Sequence, residues 1–282
     1  MLFSFYSTLS VCFAFIDPSD QTQIIFTMLN SDADGWLAIL LLGIILGSCG
    51  ALQALVGFAA ATFAIPILML CGYEMPEAQV IIITAMFPQN VVAVWQLRSN
   101  LKVKDWVKPA LIRLAFLPLG LLVMSWMQES SKPILRPVVG AVMLAATLSQ
   151  CISSPTKKEE STTGWMLGTF SLSGFLQGLC GMSGAPLVLW CYARPWSHDK
   201  VRALLFTVYL TSFLPQWLLL YGRFGSTIPK ASLRSLAALP LILLGTYVGL
   251  KFARRVPDHA IRRISYALLI LFAAFEILAP LF

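Results

Sequence analysis

The chain has 282 residues, 58% of them hydrophobic and only 12% charged, with a formal net charge of +7. A soluble domain carries about 25% charged residues, so this much apolar surface demands lipid and excludes an ordinary soluble fold. The basic residues sit in short loops between apolar runs, which sets membrane topology, and no aromatic and basic stripe speaks for nucleic acid as a partner.

Residues 1–34 stand apart and read either as an N-terminal extension or as an extra interfacial segment: Met1–Ile16 is apolar but lacks the basic start of a signal peptide, and Asp17, Asp20, Asp32 and Asp34 follow. From Trp36 onward the chain reads as ten apolar segments at about 36–56, 57–73, 78–97, 107–127, 134–152, 164–180, 182–193, 201–222, 234–251 and 263–280. A full span needs about 20 residues. Segments two and seven fall short and read as half-spans, with segments one and six interrupted alongside them. The one clearly polar linker, SSPTKKEESTT at 153–163, separates a first membrane repeat at 35–152 from a second at 164–282.

The halves are related. LQALVG at Leu52–Gly57 aligns with LQGLCG at Leu176–Gly181, and LAFLPL at Leu114–Leu119 with LAALPL at Leu236–Leu241. Two matches in the same order within stretches of equal length point to duplication. With the first segment starting outside, fourteen Lys and Arg fall in cytoplasmic loops, including Lys157, Lys158, Arg254 and Arg255, and five fall on the other side. That asymmetry places both ends of the chain outside and the linker inside. Five segments per half is an odd number, so the second copy is inverted. The expected fold class is therefore all-α: a polytopic membrane protein of two inverted repeats of about five helical segments each, with broken or short helices at the Gly-rich motifs.

Those motifs are GALQALVGFAAATFAIP at Gly50–Pro66 and GFLQGLCGMSGAP at Gly174–Pro186. Glycine lets the backbone leave helical geometry, and a short helix beginning there presents free N–H groups and a positive dipole end. Transporters use such breaks near the midplane to hold anions. Gln53, Gly57, Gln177, Gly181, Ser183 and Gly184 are the candidate substrate-binding residues, with hydroxyls at Ser48 and Thr62 nearby. The competing reading is helix packing through small residues. Thr84, Gln89, Thr207 and Gln216, two of them in Pro-Gln pairs inside apolar runs, are the candidate path-lining residues; a kinked helix with interhelical hydrogen bonds is the alternative. Arg113 lies inside a span. Its first reading is a cation that snorkels to the headgroups, five residues past Lys108; the second is a counter-charge for an anionic substrate. Glu276 reads as interfacial.

Six cysteines lie in or beside apolar runs without CxxC spacing, and the two histidines, His198 and His259, lie in loops. Neither a metal site nor a cofactor is expected, and no soluble-type catalytic motif is present.

The duplicated unit, the stretches LQALVGFAAATFAIP and LQGLCGMSGAPLVLW, and the LPLG and LPLILLG runs resemble the sulfite exporter TauE/SafE family of bacterial membrane proteins over residues 36–280. The second copy fits the family's glycine cluster through Gly181, Gly184 and Pro186. The first departs from it, with Phe58-Ala59-Ala60-Ala61 where further glycines are common. The resemblance implies transport of a sulfur oxyanion or organosulfonate across the cell inner membrane without an ATPase subunit. The residues themselves give a small anionic substrate held by helix ends, lipid as the surrounding partner, and no exclusion of a homo-oligomer. A channel-like anion pathway, a membrane-embedded enzyme and a non-transporting scaffold are the rival readings; the enzyme lacks the His, Asp or Glu cluster it would need.

Overall fold

The computed structural model of the chain describes residues 35–56, 60–129 and 163–253, with the isolated positions 141 and 145. The N-terminal extension, Gly57, most of the fifth segment, linker residues 153–162, the tenth segment and Glu276 lie outside the described residues. Those described are helical and contain no strand.

Among the described residues nine α-helices follow one another: α1 (Gly35–Val56), α2 (Ala60–Leu70), α3 (Met75–Leu97), α4 (Val103–Glu129), α5 (Thr163–Cys180), α6 (Gly184–Tyr192), α7 (His198–Phe224), α8 (Thr227–Ala237) and α9 (Leu239–Ala253), with a short 3-10 turn at Arg98–Asn100. Among the described residues four stretches are long and apolar enough to cross a membrane: Gly35–Ala54, Met75–Asn100, Val103–Glu129 and Asp199–Phe224. The bent pair Thr227–Ala237 and Leu239–Gly249 makes a fifth as one broken span with a 56° bend. Large apolar side chains such as Trp36, Ile44, Leu111, Leu122, Trp126, Leu218 and Tyr247 are exposed. Helices apolar all round, with such surfaces outward, fit a lipid solvent.

Local sequence explains the helix ends. Glu74 and Glu77 form a capping box ahead of α3, with Pro76 in its first turn. Ser197 caps α7 by accepting from the Lys200 N–H, and Gly225, at φ 63°, closes it. The sequence reading drew 234–251 as one segment. Instead the helix starts at Thr227 and bends at Ala238, because Pro240 has no N–H to continue the α8 ladder and fits the first turn of a new helix. A second correction concerns segments one and six. Neither is interrupted: α1 and α5 are continuous, and in the second half the break falls after α5, at Gly181–Ser183.

Close packing sets helix directions. A Cβ at Gly174 would overlap the Arg113 carbonyl oxygen, and one at Gly178 that of Leu117, so α5 lies parallel to α4 and nearly touching it. Gly47 meets Gly245 and Ala51 meets Gly249 in the same way, so α1 lies parallel to α9. Small residues permit this approach, where dispersion contacts replace the hydrophobic effect.

Polar contacts mark two ends of the bundle. At one, the Gln128 amide donates to Glu74 at 3.2 Å and Arg223 pairs with Glu129. At the other, Lys200 pairs with Asp105 at 3.1 Å, and Arg194 stacks on Trp190 and Trp196 at 3.8 and 4.9 Å. α3 therefore starts at the end where α7 finishes, and the two run antiparallel. α2 and α6 have 11 and 9 residues, about 16 and 13 Å, too short to cross. α2 returns to the Glu74 end. α6 folds back along α5, with Phe170 and Trp190 edge to face at 5.0 Å, and ends at the Asp105 end. The two helix pairs thus penetrate from opposite ends.

Replacing Gly178 with valine should force α4 and α5 apart. Overpacking of this kind costs about 1–3 kcal/mol, so Gly178→Val should lower the thermal unfolding midpoint in detergent, while Gly168→Ala, where a Cβ meets nothing within 4 Å, should leave it unchanged.

Candidate anion site

Between the two helix pairs lies a cavity whose walls come from both halves: Gln53, Ala61, Thr62, Ile82, Ile83, Met86, Asn90 and Arg113 from the first, and Gln177, Gly181, Met182, Ser183, Gly184, Tyr209, Phe213 and Gln216 from the second. It offers about 60 Å³ to a water-sized molecule. One water needs ~10–15 Å³ on this measure, so the space holds a few waters or one compact anion.

Arg113 is the centre of the site. Its position on α4 overturns the snorkelling reading: the side chain is fully buried, 0% exposed, and points into the protein rather than along it to the headgroups. Its five N–H groups are all occupied. Nε donates to Ser173 at 3.2 Å, Nη1 to the Val208 carbonyl at 2.9 Å and to Ser212, and Nη2 to Gln177 Oε1 at 2.9 Å and Ser183 Oγ at 2.8 Å. The guanidinium also lies 5.6 Å from the Tyr209 ring centre. Every acceptor is neutral. Among the described residues no carboxylate pairs with Arg113; the ion pairs there are Lys200–Asp105 and Arg223–Glu129. Hydrogen bonding is satisfied, but the charge is not neutralised. An isolated buried charge is expensive, and this one sits on a cavity wall.

A chain of amides continues from it. Gln177 Nε2 donates to Gln216 Oε1 at 2.6 Å, Gln216 Nε2 to Gln79 Oε1 at 3.0 Å, and Gln79 Nε2 to the carbonyls of Gly178 and Leu179, each at 3.3 Å. Ser183 donates to Gln177 Oε1, and Ser173 to the Ser183 carbonyl at 3.0 Å. Gly181 makes the turn before α6 with φ 71°, a conformation that costs other L-residues about 1–2 kcal/mol. Beyond it, the first turn of α6 begins at Gly184 on the cavity wall, with N–H groups that have no acceptor inside the helix.

Of the residues singled out from sequence, Gln53, Gln177, Gly181, Ser183, Gly184, Gln216 and Arg113 line this one cavity. Gly57 lies outside the described residues. Thr84, Gln89 and Thr207 do not line the cavity. Thr84 bonds Ser232, Gln89 accepts from Thr246, and Thr207 donates to its own helix at Ala203. Ser48 likewise bonds its own helix, at Ile44. The sequence reading missed Gln79, Ser173 and Tyr209. Gln79 and Ser173 carried a readable signal, a polar residue within an apolar run. The buried Tyr209 hydroxyl, without a hydrogen-bond partner, looked like any interfacial tyrosine.

Several apolar spans around a polar, cation-bearing cavity define a multi-pass membrane protein with a place for a solute. The family described as Sulfite exporter TauE/SafE matches residues 35–275, and the chain belongs to that family. That family's description is of exporters, which are membrane transporters and not enzymes. A relative from Cupriavidus necator, described as a probable sulfite/organosulfonate exporter TauE, is 25% identical over 169 residues, which cover 59% of this chain and 66% of that protein, just under two thirds of its length. No solved structure matches the chain.

Gly181→Ala would force a Cβ into the left-handed turn and within 2.6 Å of Ile65 Cδ1. The expected result is a loss of about 1–2 kcal/mol from backbone strain, read as a lower unfolding midpoint, with Gly222→Ala, where a Cβ meets nothing within 4 Å, as the neutral control.

Proposed function

We propose that this transporter carries a small sulfur-containing anion, sulfite or a short organosulfonate, out across the bacterial inner membrane, and that the anion binds at Arg113 between the two helix pairs. One observation carries the reading: a fully buried guanidinium on a cavity wall whose partners are all neutral among the described residues. An anion is the ligand that completes such a site. The start of α6 and the free Tyr209 hydroxyl add donors of the right sign. The opposite wall, with Ile82, Ile83, Met86 and Phe213, suits a short apolar tail. The substrate class follows the Cupriavidus necator relative, whose description names sulfite and organosulfonates.

The reading includes two inverted repeats. Three observations support it. α3 and α7, which share the Pro-Gln pairs at Pro88-Gln89 and Pro215-Gln216, run antiparallel. α1 packs along α9 as α5 packs along α4. The pairs α1–α2 and α5–α6 enter from opposite ends. The end with Arg98, Lys102, Lys104, Arg194 and Lys200 then faces the cytoplasm. A membrane potential of 100 mV supplies about 2.3 kcal/mol per charge, enough to drive an anion out of a cell with a negative interior without a coupled ion.

Sulfite efflux from vesicles tests the site. Removing one member of a buried charge pair costs about 2–5 kcal/mol, so Arg113→Gln should slow efflux by ~30-fold or more. Arg113→Lys, which keeps the charge but loses the planar fork, should fall between. Wild-type rates in both variants at equal insertion would place the substrate elsewhere. Topology is tested separately. A cysteine at Ser99 should react with an impermeant maleimide only from the cytoplasmic side, and one at Ser226 only from outside; labelling of both from one side would rule out the proposed arrangement.

A further inference from the structure

The five N–H groups of Arg113 are already taken, so an anion that reaches the guanidinium must displace an acceptor. Ser173, Val208 and Ser212 do not line the cavity; Gln177 and Ser183 do. Ser183 can rotate its hydroxyl and remain as a donor. Gln177 cannot stay as it is, because its Oε1 faces the cation and would face the incoming anion. It must turn its amide so that Nε2 meets the anion.

The amide chain opposes that turn, and its polarity is fixed at both ends. At one end the guanidinium accepts nothing, so it selects the oxygen of Gln177. At the other end Gln79 faces the carbonyls of Gly178 and Leu179 and the Met124 sulfur at 3.2 Å. These accept only, so they select its nitrogen. Gln216 between them is oriented by both neighbours and, through a 3.4 Å bond, by the Gln177 backbone carbonyl. If Gln177 turns, its Oε1 faces Gln216 Oε1; Gln216 must then turn or lose the bond, and Gln79 cannot follow without setting its oxygen against two carbonyl oxygens.

We infer that Gln79, which does not line the cavity, is a positioning residue that holds Gln177 as a displaceable neutral stand-in for the substrate anion, and that anion binding reaches the end of α5 through Gln216 and Gln79. The inference rests on the reading of Arg113 as the anion site. Gly178 and Leu179 form the last turn of α5, just before the Gly181 break, so strain in the chain acts where the helix is interrupted. The empty site is held closed on itself by neutral groups, and the bound site is released from that hold.

This makes an unusual kinetic prediction. In Gln79→Met the chain loses its fixed end, Gln216 keeps only its long 3.4 Å bond to the Gln177 backbone carbonyl, and the anion works against fewer amide bonds. One hydrogen bond is worth about tenfold in binding. In proteoliposomes, KM for sulfite should fall by about tenfold and kcat should fall as well, because occupancy no longer strains the break. Damage to the fold would leave KM unchanged or raise it. Gln79→Glu should restore both constants toward wild type: a buried carboxyl stays protonated, donates its O–H to the same carbonyls, and accepts from Gln216. A KM for Gln79→Met at or above the wild-type value overturns the proposal, as does failure of both variants to insert, which would make Gln79 a purely structural residue. If Arg113→Gln leaves sulfite efflux intact, the anion site itself is wrong; if it abolishes efflux and Gln79→Met leaves KM unchanged, only the positioning role fails.

Discussion

A guanidinium held inside a helical bundle imposes five hydrogen bonds in a fixed plane, and the second half of this protein is organised around supplying them. Ser173 and Gln177 come from α5, Ser183 from the turn before α6, and Ser212 with the Val208 carbonyl from α7. No single helix offers that set. α5 must stop where Ser183 can swing back toward α4, which requires the break at Gly181. α5 must also lie almost against α4, because Gly174 sits on the carbonyl of Arg113 itself. The glycines at 174 and 178 and the glycine at 181 therefore serve one arrangement: the first two bring the helices together, and the third ends one of them at the right depth.

The two halves carry matching sequence motifs but not a matching charge. Arg113 precedes LAFLPL, and the residue that precedes the matching LAALPL is Ser235, buried and bonded to the Ile81 carbonyl. Gln53, the match of Gln177, donates to Asn90 at 3.4 Å instead of meeting a cation. The first half thus brings both the cation and Gln53, Thr62 and Asn90 to the cavity, and the second brings Gln177, Ser183 and Gln216 with no cation of its own. If the proposed anion site is right, two facing arginines would hold the anion with two charges and make release slow, whereas one arginine would hold it with one. A carrier must bind and let go, and a single cation in a small cavity would suit both steps.

Sequence carried the architecture further than the chemistry. The class of protein followed from composition, and the Gly-rich breaks from residues such as Gly181, because both depend on local properties. Helix ends were less legible. α8 starts at Thr227 in a stretch whose polar residues, Lys230 and Arg234, look like loop, yet Ile228 and Ala231 are buried against the core. Its signal is amphipathic, with Ile228, Ala231, Ser232 and Ser235 on one face, and a search for long apolar runs passes over it. The role of Arg113 was illegible for a different reason. Five residues from Lys108, it has the spacing of a snorkelling cation; only the placement of α5 and α7 around it makes burial cheaper than exposure. Thr84 and Gln89 show the reverse error. They are polar and deep, as a path residue would be, but they spend their hydrogen bonds on Ser232 and Thr246, tying α3 to α8 and α9.

The neutrality of the Arg113 shell has a further consequence. A carboxylate in place of Gln177 would satisfy the same N–H groups and also cancel the charge. The buried pair would then be stable only as a pair, and an incoming anion would have to displace a full negative charge tethered beside it, at an effective concentration no free solute matches. A carbonyl oxygen offers the geometry of an anion without its charge. It keeps the guanidinium in place and, at the proposed site, would leave the Coulomb attraction unused until an anion arrives. That attraction is stronger in the protein interior than in water, so at the proposed site the cost of burying Arg113 would be recovered as affinity only when an anion enters, and selection for charge would need no opposing charge in the protein.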